Sequence, residues 1–435
     1  MASSSSSSAF STITRWIGRK WFAGLSNHPI VWMIGKRSVY PKGMSTLAEP
    51  MSTKQNPWLM LPPAFDVTVT GTASLSYKFY NVADNKIVTL DTGKSELTHL
   101  HMRFAGSSHG WLALLSPSQD LFLYNPISRR HIKLPSVGDL TEYPASPTII
   151  YKIILSCSPE DPNCRAIIIY NNKYALAFCC PASSKDWTRM GDHHWLNGSL
   201  GLPLRNGYWG CVYSTRHEAL FSLRREGVLE SWDLHSLRAV KIADGGRTGI
   251  VTMRYPRKIC NNYKDYKEEL GLPCKVVHHL VVAGPRHDLL MVSQYVACFD
   301  FDGLYVDCLD PHPDKRGLRL PFLTIGFFVY KYDPEDEDLK YVNSLDGLAL
   351  FVGYHSDGFA LPAAEFPQLK SNSIYFTDAL DNVICPVHTK ATGGHDIGIF
   401  DFNNKTVLPC YYPSDVKNMS KTFPAPTWFF PSPPA

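Results

Sequence analysis

The chain has 435 residues, of which 44% are hydrophobic, 12% aromatic and only 19% charged; this balance excludes a largely disordered chain and leaves ample length for a sizeable core. The net charge of +4 sits at the N-terminus, because residues 1–48 carry Arg15, Arg19, Lys20, Lys36, Arg37 and Lys42 and no acid. Without those six, 37 basic residues face 39 acidic ones, so the body is near neutral and offers no clustered basic face for nucleic acid.

Residues 1–50 read as an organelle transit peptide and linker, expected to be disordered, since residues 1–48 are serine-rich, basic and acid-free. A helix over Phe10 to Leu25 would put Phe10, Ile13, Ile17, Trp21 and Gly24 on one face and Arg15 and Arg19 on the other, with Lys20 at the apolar edge. Such a cationic amphipathic helix suits import across a membrane with a negative interior, which favours the mitochondrion; the Met-Ala-Ser opening also fits a chloroplast leader. Arg15, Arg19 and Lys20 interrupt the apolar core that a secretory signal needs. The run Pro29 to Ile34 is far below the roughly 20 residues that cross a bilayer, and no membrane span is expected elsewhere.

Residues 56–413 show short apolar runs bounded by Gly, Pro, Asn, Asp and Ser, which predicts an all-β fold. The first clear meander runs through Gly110 to Leu115, Asp120 to Pro126 and Arg129 to Pro135. Related blocks follow at residues 207–234, 278–296, 324–352 and 396–412. Trp232-Asp233-Leu234 and Phe400-Asp401-Phe402 each place an acid at a strand end, where it can hold a turn. Such repeats predict a kelch-like β-propeller of six or seven four-stranded blades, a fold that resolves exposed strand edges by closing on itself. Residues 254–275 are charged and partly helical in propensity, and are expected as an insertion between blades. Residues 414–435 form a Pro-rich tail, expected to lack regular structure because proline has no N–H to donate.

Candidate chemistry is sparse. Gly106-Ser107-Ser108-His109-Gly110 fits the hydrolase pattern G-x-S-x-G with Ser108 as nominal nucleophile. That chemistry needs a strand before the serine and a helix after it, whereas Trp111 to Leu115 reads as a strand. A tight turn entering a blade is the expected alternative. The adjacent pairs Cys179-Cys180, His193-His194 and His278-His279 point to opposite faces of a strand, so neither cysteine nor histidine pair forms a two-ligand site, and one imidazole of each histidine pair is expected packed and the other exposed. The eleven cysteines include no C-x-x-C and read as reduced thiols. The acidic run Asp333 to Asp338 lacks the spacing and glycine of a calcium loop and reads as a solvated hairpin connection. Trp58, Trp111, Trp187, Trp195, Trp209 and Trp232 read as blade-packing side chains. No catalytic, cofactor-binding or metal residue is assigned, and no cofactor is expected.

In order along the chain, Pro57 to Leu61, Phe79-Tyr80-Asn81, Gly106 to Leu112, Leu121 to Pro126 and Ile132 to Pro135 resemble the opening motifs of the plant domain of unknown function 295. Gly326 to Tyr330, Asn343 to Gly353 and Asn372 to Asp378 are similar to its closing motifs. The resemblance implies the propeller half of F-box/kelch-type plant proteins. F-box members carry a leucine-rich helical module before the propeller, but residues 1–50 hold only Leu25 and Leu47. The chain therefore resembles the organelle-targeted branch that pairs a presequence directly with the propeller. What this implies is a non-catalytic protein-interaction module with an unidentified protein partner, meeting the organelle import machinery through residues 1–48. The alternative is a substrate-recognition subunit of an SCF-type ubiquitin ligase in cytosol or nucleus.

Overall fold

Alternation along each apolar run decides the architecture, because successive side chains leave a strand on opposite faces and each blade is sandwiched between two others. The computed structural model describes residues 56–61, 64–67, 73–91, 102–140, 148–170, 175–191, 207–224, 227–244, 250–253, 272–299, 305–306, 322–379, 396–409 and 426–431. Over these residues the chain is all-β, with two single-turn 3₁₀ segments and no helix long and apolar enough to cross a membrane.

Blade 2 comprises Arg103–Ser108, Trp111–Leu115, Leu121–Tyr124 and His131–Lys133, paired in that order. Blade 3 comprises Ile150–Leu155, Ala166–Tyr170, Ala175–Cys179 and Thr188–Met190. Blade 4 comprises Tyr208–Ser214, Ala219–Arg224, Val228–Asp233 and Arg238–Asp244. All three are antiparallel meanders. Blade 5 is built on Leu272–Ala283, Asp288–Phe299, Phe322–Asp333 and Asp338–Tyr341. Blade 6 contains Leu348–Val352, Gly358–Pro362, Ser373–Phe376, Gly398–Asp401 and Thr406–Pro409. Blade 1 combines Trp58–Met60, Ala64–Val67, Ala73–Asn81 and Lys86–Asp91 with Thr427–Phe429 from the far end of the chain.

Six apolar clusters cement neighbouring blades into a closed ring. Leu112 and Leu114 face Trp58, Phe79 and Phe429 of blade 1, while Trp111 and Ala113, on the other face of the same strand, meet Ile153 and Ile168 of blade 3. Ile154 and Ile167 pack with Leu220 and Trp232, and Phe221 with Leu280 and Met291. Phe327 and Val329 join Phe376 and Phe400, and Phe351 and Tyr375 close on Leu59, Tyr80 and Trp428. Such strands are buried on both faces and therefore read as continuous apolar runs. The expected propeller is thus a ring of six blades over the described residues.

The hairpins share one turn chemistry. Among the described residues, seven turns end in or just before a non-glycine residue of positive φ: Asn85, Arg129, Glu218, Leu237, His287, Glu337 and Lys405. In five, the residue before the turn is Asn81, Asn125, Asp233, Asp333 or Asp401, whose Oδ1 accepts the N–H two residues on at 2.8–3.0 Å. This places Asp233 and Asp401 in the turn-holding role read from the sequence. The acidic run around Asp333 is such a turn, exposed, with Lys340 reaching Asp333 at 2.6 Å and also Asp336.

Several expectations are corrected. The tail is not devoid of regular structure: Thr427, Trp428 and Phe429 lie between Pro426 and Pro431, keep their N–H groups and pair with Trp58–Met60. Residues 324–352 are not one block, since Phe322–Asp333 ends in blade 5 and Leu348–Val352 opens blade 6. Lys275 lies in a strand, not in an insertion; residues 254–271 are outside the described residues. Blades 5 and 6 are not separate four-stranded sheets, because Leu272–Ala283 pairs in parallel with Gly358–Pro362 to give eleven strands in one sheet. A Cβ at Gly358 would lie 2.4 Å from the Leu280 carbonyl oxygen, so only glycine permits this approach. Residues 1–55, His193, His194 and Trp195 lie outside the described residues.

Candidate functional site along the ring axis

The Gly-Ser-Ser-His-Gly segment ends the inner strand of blade 2, and its residues tie four blades together. Ser107 pairs in parallel with Ser356 of the strap that joins Leu348–Val352 to Gly358–Pro362. The Ser107 N–H donates to the His355 carbonyl at 3.1 Å, and the Asp357 N–H donates to the Ser107 carbonyl at 3.4 Å. Blades 2 and 6 are separated by blade 1, so these bonds cross the middle of the ring. Gly106, with φ 142°, makes room: a Cβ there would stand 3.0 Å from the His355 oxygen and 3.2 Å from Ile153 Cγ2.

The two serines finish the junction. Ser107 Oγ donates to the Trp428 carbonyl at 2.7 Å, anchoring the strand that closes blade 1. Ser108 Oγ donates to Asp357 Oδ2 and accepts the Leu155 N–H of blade 3 at 2.9 Å. His109 (φ 49°) and Gly110 (φ 76°) then form a two-residue hairpin turn into Trp111–Leu115. The segment is the tight turn read from the sequence, not a strand-to-helix elbow.

Ser108, His109 and Asp357 nevertheless invite comparison with a hydrolase triad. In a working triad the imidazole stands between hydroxyl and carboxylate. Here the hydroxyl stands in the middle, with His109 Nδ1 at 3.1 Å on one side and Asp357 on the other. Its proton is committed to Asp357, its lone pair holds a backbone N–H, and Ser108 is 6% exposed. The arrangement staples strands and presents no nucleophile.

The electrostatics centre on Asp357 and Lys152. Asp357 keeps partial exposure as a residue, but its Oδ1 is buried with no hydrogen-bond partner among the described residues. Burial pushes its carboxyl up to about 7, against the opposing pull of Lys152 and of the Ser108 hydrogen bond. Lys152, on the inner strand of blade 3, is buried, which lowers its ammonium pKa, while Asp357 acts in the other direction. Burial also pushes up the Cys211 thiol beside them.

Two recesses flank this junction. One is lined by Tyr151, Lys152, Tyr208, Trp209, His278, His279 and neighbours from blade 6. The other is lined by Ser108, His109, Asp357, Phe359, Trp428 and Phe430. His278 Nδ1 lies 2.8 Å from Ser293 Oγ, and His279 Nε2 donates to Gln294 Oε1 at 2.8 Å. Gln294 in turn donates to Thr324 Oγ1, which donates to Asp396 at 2.5 Å. The expectation of one packed and one exposed imidazole is corrected for this pair: both are 4% exposed, because blade 5 is covered on both faces. Burial lowers the His278 pKa to about 4, so the ring is neutral. Among the described residues no group of three or more His, Cys, Asp or Glu gathers to hold a metal ion. Cys179 is buried and Cys180 half-buried, both as free thiols.

The sequence reading singled out Ser108, His278 and His279 but missed Lys152 and Asp357. A signal existed for the first: one charged side chain inside the apolar strand Ile150 to Leu155. Asp357, in His355-Ser356-Asp357-Gly358, carries the composition of an ordinary turn.

The profile of the KIB1-4 β-propeller family matches residues 79–401. A putative F-box protein of Arabidopsis thaliana is 28% identical over 123 residues, a match spanning 28% of this chain and 31% of that protein. Among solved structures, a protein of unknown function from Bacteroides thetaiotaomicron is 12% identical, with 67% of this chain and 59% of that one covered and a TM-score of 0.29. The Cps50 (Swd1) β-propeller domain of Myceliophteria thermophila is 7% identical, with 82% and 88% covered and a TM-score of 0.32. With its profile match extending from blade 1 to blade 6, the chain belongs to the KIB1-4 β-propeller family.

Proposed function

We propose that this protein is a non-catalytic interaction module of a plant organelle, a rigid ring that recognises another protein through the groups exposed at one end of its axis. The observation that carries this reading is the fate of Ser108: the one residue with a nucleophile's sequence pattern is consumed in joining blades 2, 3 and 6. Rigid scaffolds with variable loops and rims are well suited to recognition. The basic, acid-free leader over residues 1–48 supports import, with the mitochondrion as destination and the chloroplast as the alternative. It also supports membership of the organelle-targeted branch of the domain of unknown function 295 proteins, engaged by the import machinery through that leader.

A fluorescent fusion of residues 1–60 tests the destination: it should enter mitochondria, and diffuse cytosolic signal would refute the organelle reading. The Arabidopsis relative favours a second reading, in which the chain is a substrate-recognition subunit of an SCF-type ubiquitin ligase. Co-purification of the ligase adaptor with the full chain would support that reading. Failure of the adaptor to bind, together with import of the fusion, would remove it.

A further inference from the structure

The geometry points to the recess containing Lys152 and His278 as a carboxylate pocket that takes a single aspartate or glutamate side chain of a partner protein. This rests on the reading of the ring as an interaction module and names the chemistry that the module selects.

Four blades converge on the recess: Tyr151 and Lys152 come from blade 3, Tyr208 and Trp209 from blade 4, His278 and His279 from blade 5, and Gly353 and Tyr354 from blade 6. Lys152 is 6% exposed and makes no hydrogen bond or ion pair among the described residues. Asp357 acts on it through space without forming an ion pair, and its Oδ2 is taken by Ser108 in the lining of the other recess. A buried ammonium with no acceptor is costly, and an incoming carboxylate supplies what is missing. His278 adds a second group of the same need. Its Nδ1 is occupied by Ser293, while its Nε2 is buried and has no partner among the described residues. With Ser293 donating to Nδ1, the Nε2–H is a donor buried in the wall of the same recess.

The walls select the rest of the ligand. Trp209 stands edge-on to His278, with ring centroids 6.2 Å apart, and Tyr208 continues the aromatic side. Such walls suit the methylene stem of an acidic side chain, and Trp and Tyr are the residues that anchor protein interfaces. A phosphate would bring more charge than one lysine and a neutral imidazole can answer.

The test is selection of a random peptide display library on the full chain, followed by titration of an enriched peptide. The expected result is enrichment of Asp or Glu at one position, at least tenfold weaker binding when that acid is changed to its amide, and loss of the acid preference in Lys152→Met. The amide comparison uses the wild-type protein and so stands even if the variant fails to fold. Peptides that bind equally as acid and amide, or whose preference survives in folded Lys152→Met, would overturn the pocket while leaving the interaction module standing. Enrichment of no peptide would overturn both.

Discussion

Replacing Asp357 by Asn should tilt the dependence of stability on pH in a direction fixed by the buried groups on the axis. Asp357 holds its proton in the folded ring up to about 7, against 3.8 in the unfolded chain. Its stabilising contribution is therefore complete below about 3.8 and is lost as pH rises toward about 7. His278 runs the other way: its folded value of about 4 lies below 6.5, so its contribution is complete above 6.5 and is lost as pH falls toward about 4. Between pH 4.5 and 6.5 each group differs by close to one proton between the two states, and the two slopes cancel. Removing the carboxyl leaves the His278 slope uncovered. The stability of Asp357→Asn relative to wild type should rise by about 2 to 3 kcal/mol across that window, one proton over two pH units. His278→Gln should show a fall of similar size. Urea unfolding of the full chain at pH 4.5, 5.5 and 6.5 reads this difference, in which groups common to both proteins drop out. A flat or falling difference for Asp357→Asn would refute the assignment of a proton to the strap.

Three further perturbations test the fold. Trp428→Ala removes a fully buried ring packed edge-on against Phe351 and should cost about 3 to 5 kcal/mol, measured as a lowered urea midpoint. Ser108→Ala leaves Asp357 Oδ2 and the Leu155 N–H without the partner they share; the expected loss is about 2 to 4 kcal/mol, and an unchanged thermal midpoint would contradict the stapling role. Glu218→Gly relaxes an exposed turn residue held at φ 48° and should stabilise by about 0.5 to 1 kcal/mol, readable as a small rise in midpoint with an unchanged denaturant slope.

Much of the ring was legible because its rules are local. Trp111 to Leu115 announces a strand buried on both faces, and Asp233 and Asp401 announce turns whose hydrogen bonds reach only two or three residues ahead. The limits of the propeller were harder to read. Thr427–Phe429 is three residues long and hemmed by prolines, and nothing nearby reveals that its partner is Trp58–Met60 at the other end of the chain. The division between blades 5 and 6 was hidden for a similar reason, since the parallel pairing at Gly358 depends on an approach that only the folded backbone displays. His278 and His279 were correctly placed on opposite faces, but their exposure depends on what covers each face. The Lys152 and Asp357 junction needs blades 2, 3 and 6 to be assembled before its members meet. Local pattern thus reaches the blade, while the axis belongs to the closed ring.

The clasp between Thr427–Phe429 and Trp58–Met60 also governs when the molecule can become itself. Blade 1 lacks its innermost strand until residues 427–429 have been synthesised, so the ring stays an open arc through most of translation. Damage confined to that short stretch would strike the two blade interfaces on either side of blade 1, to which Phe429 and Trp428 belong.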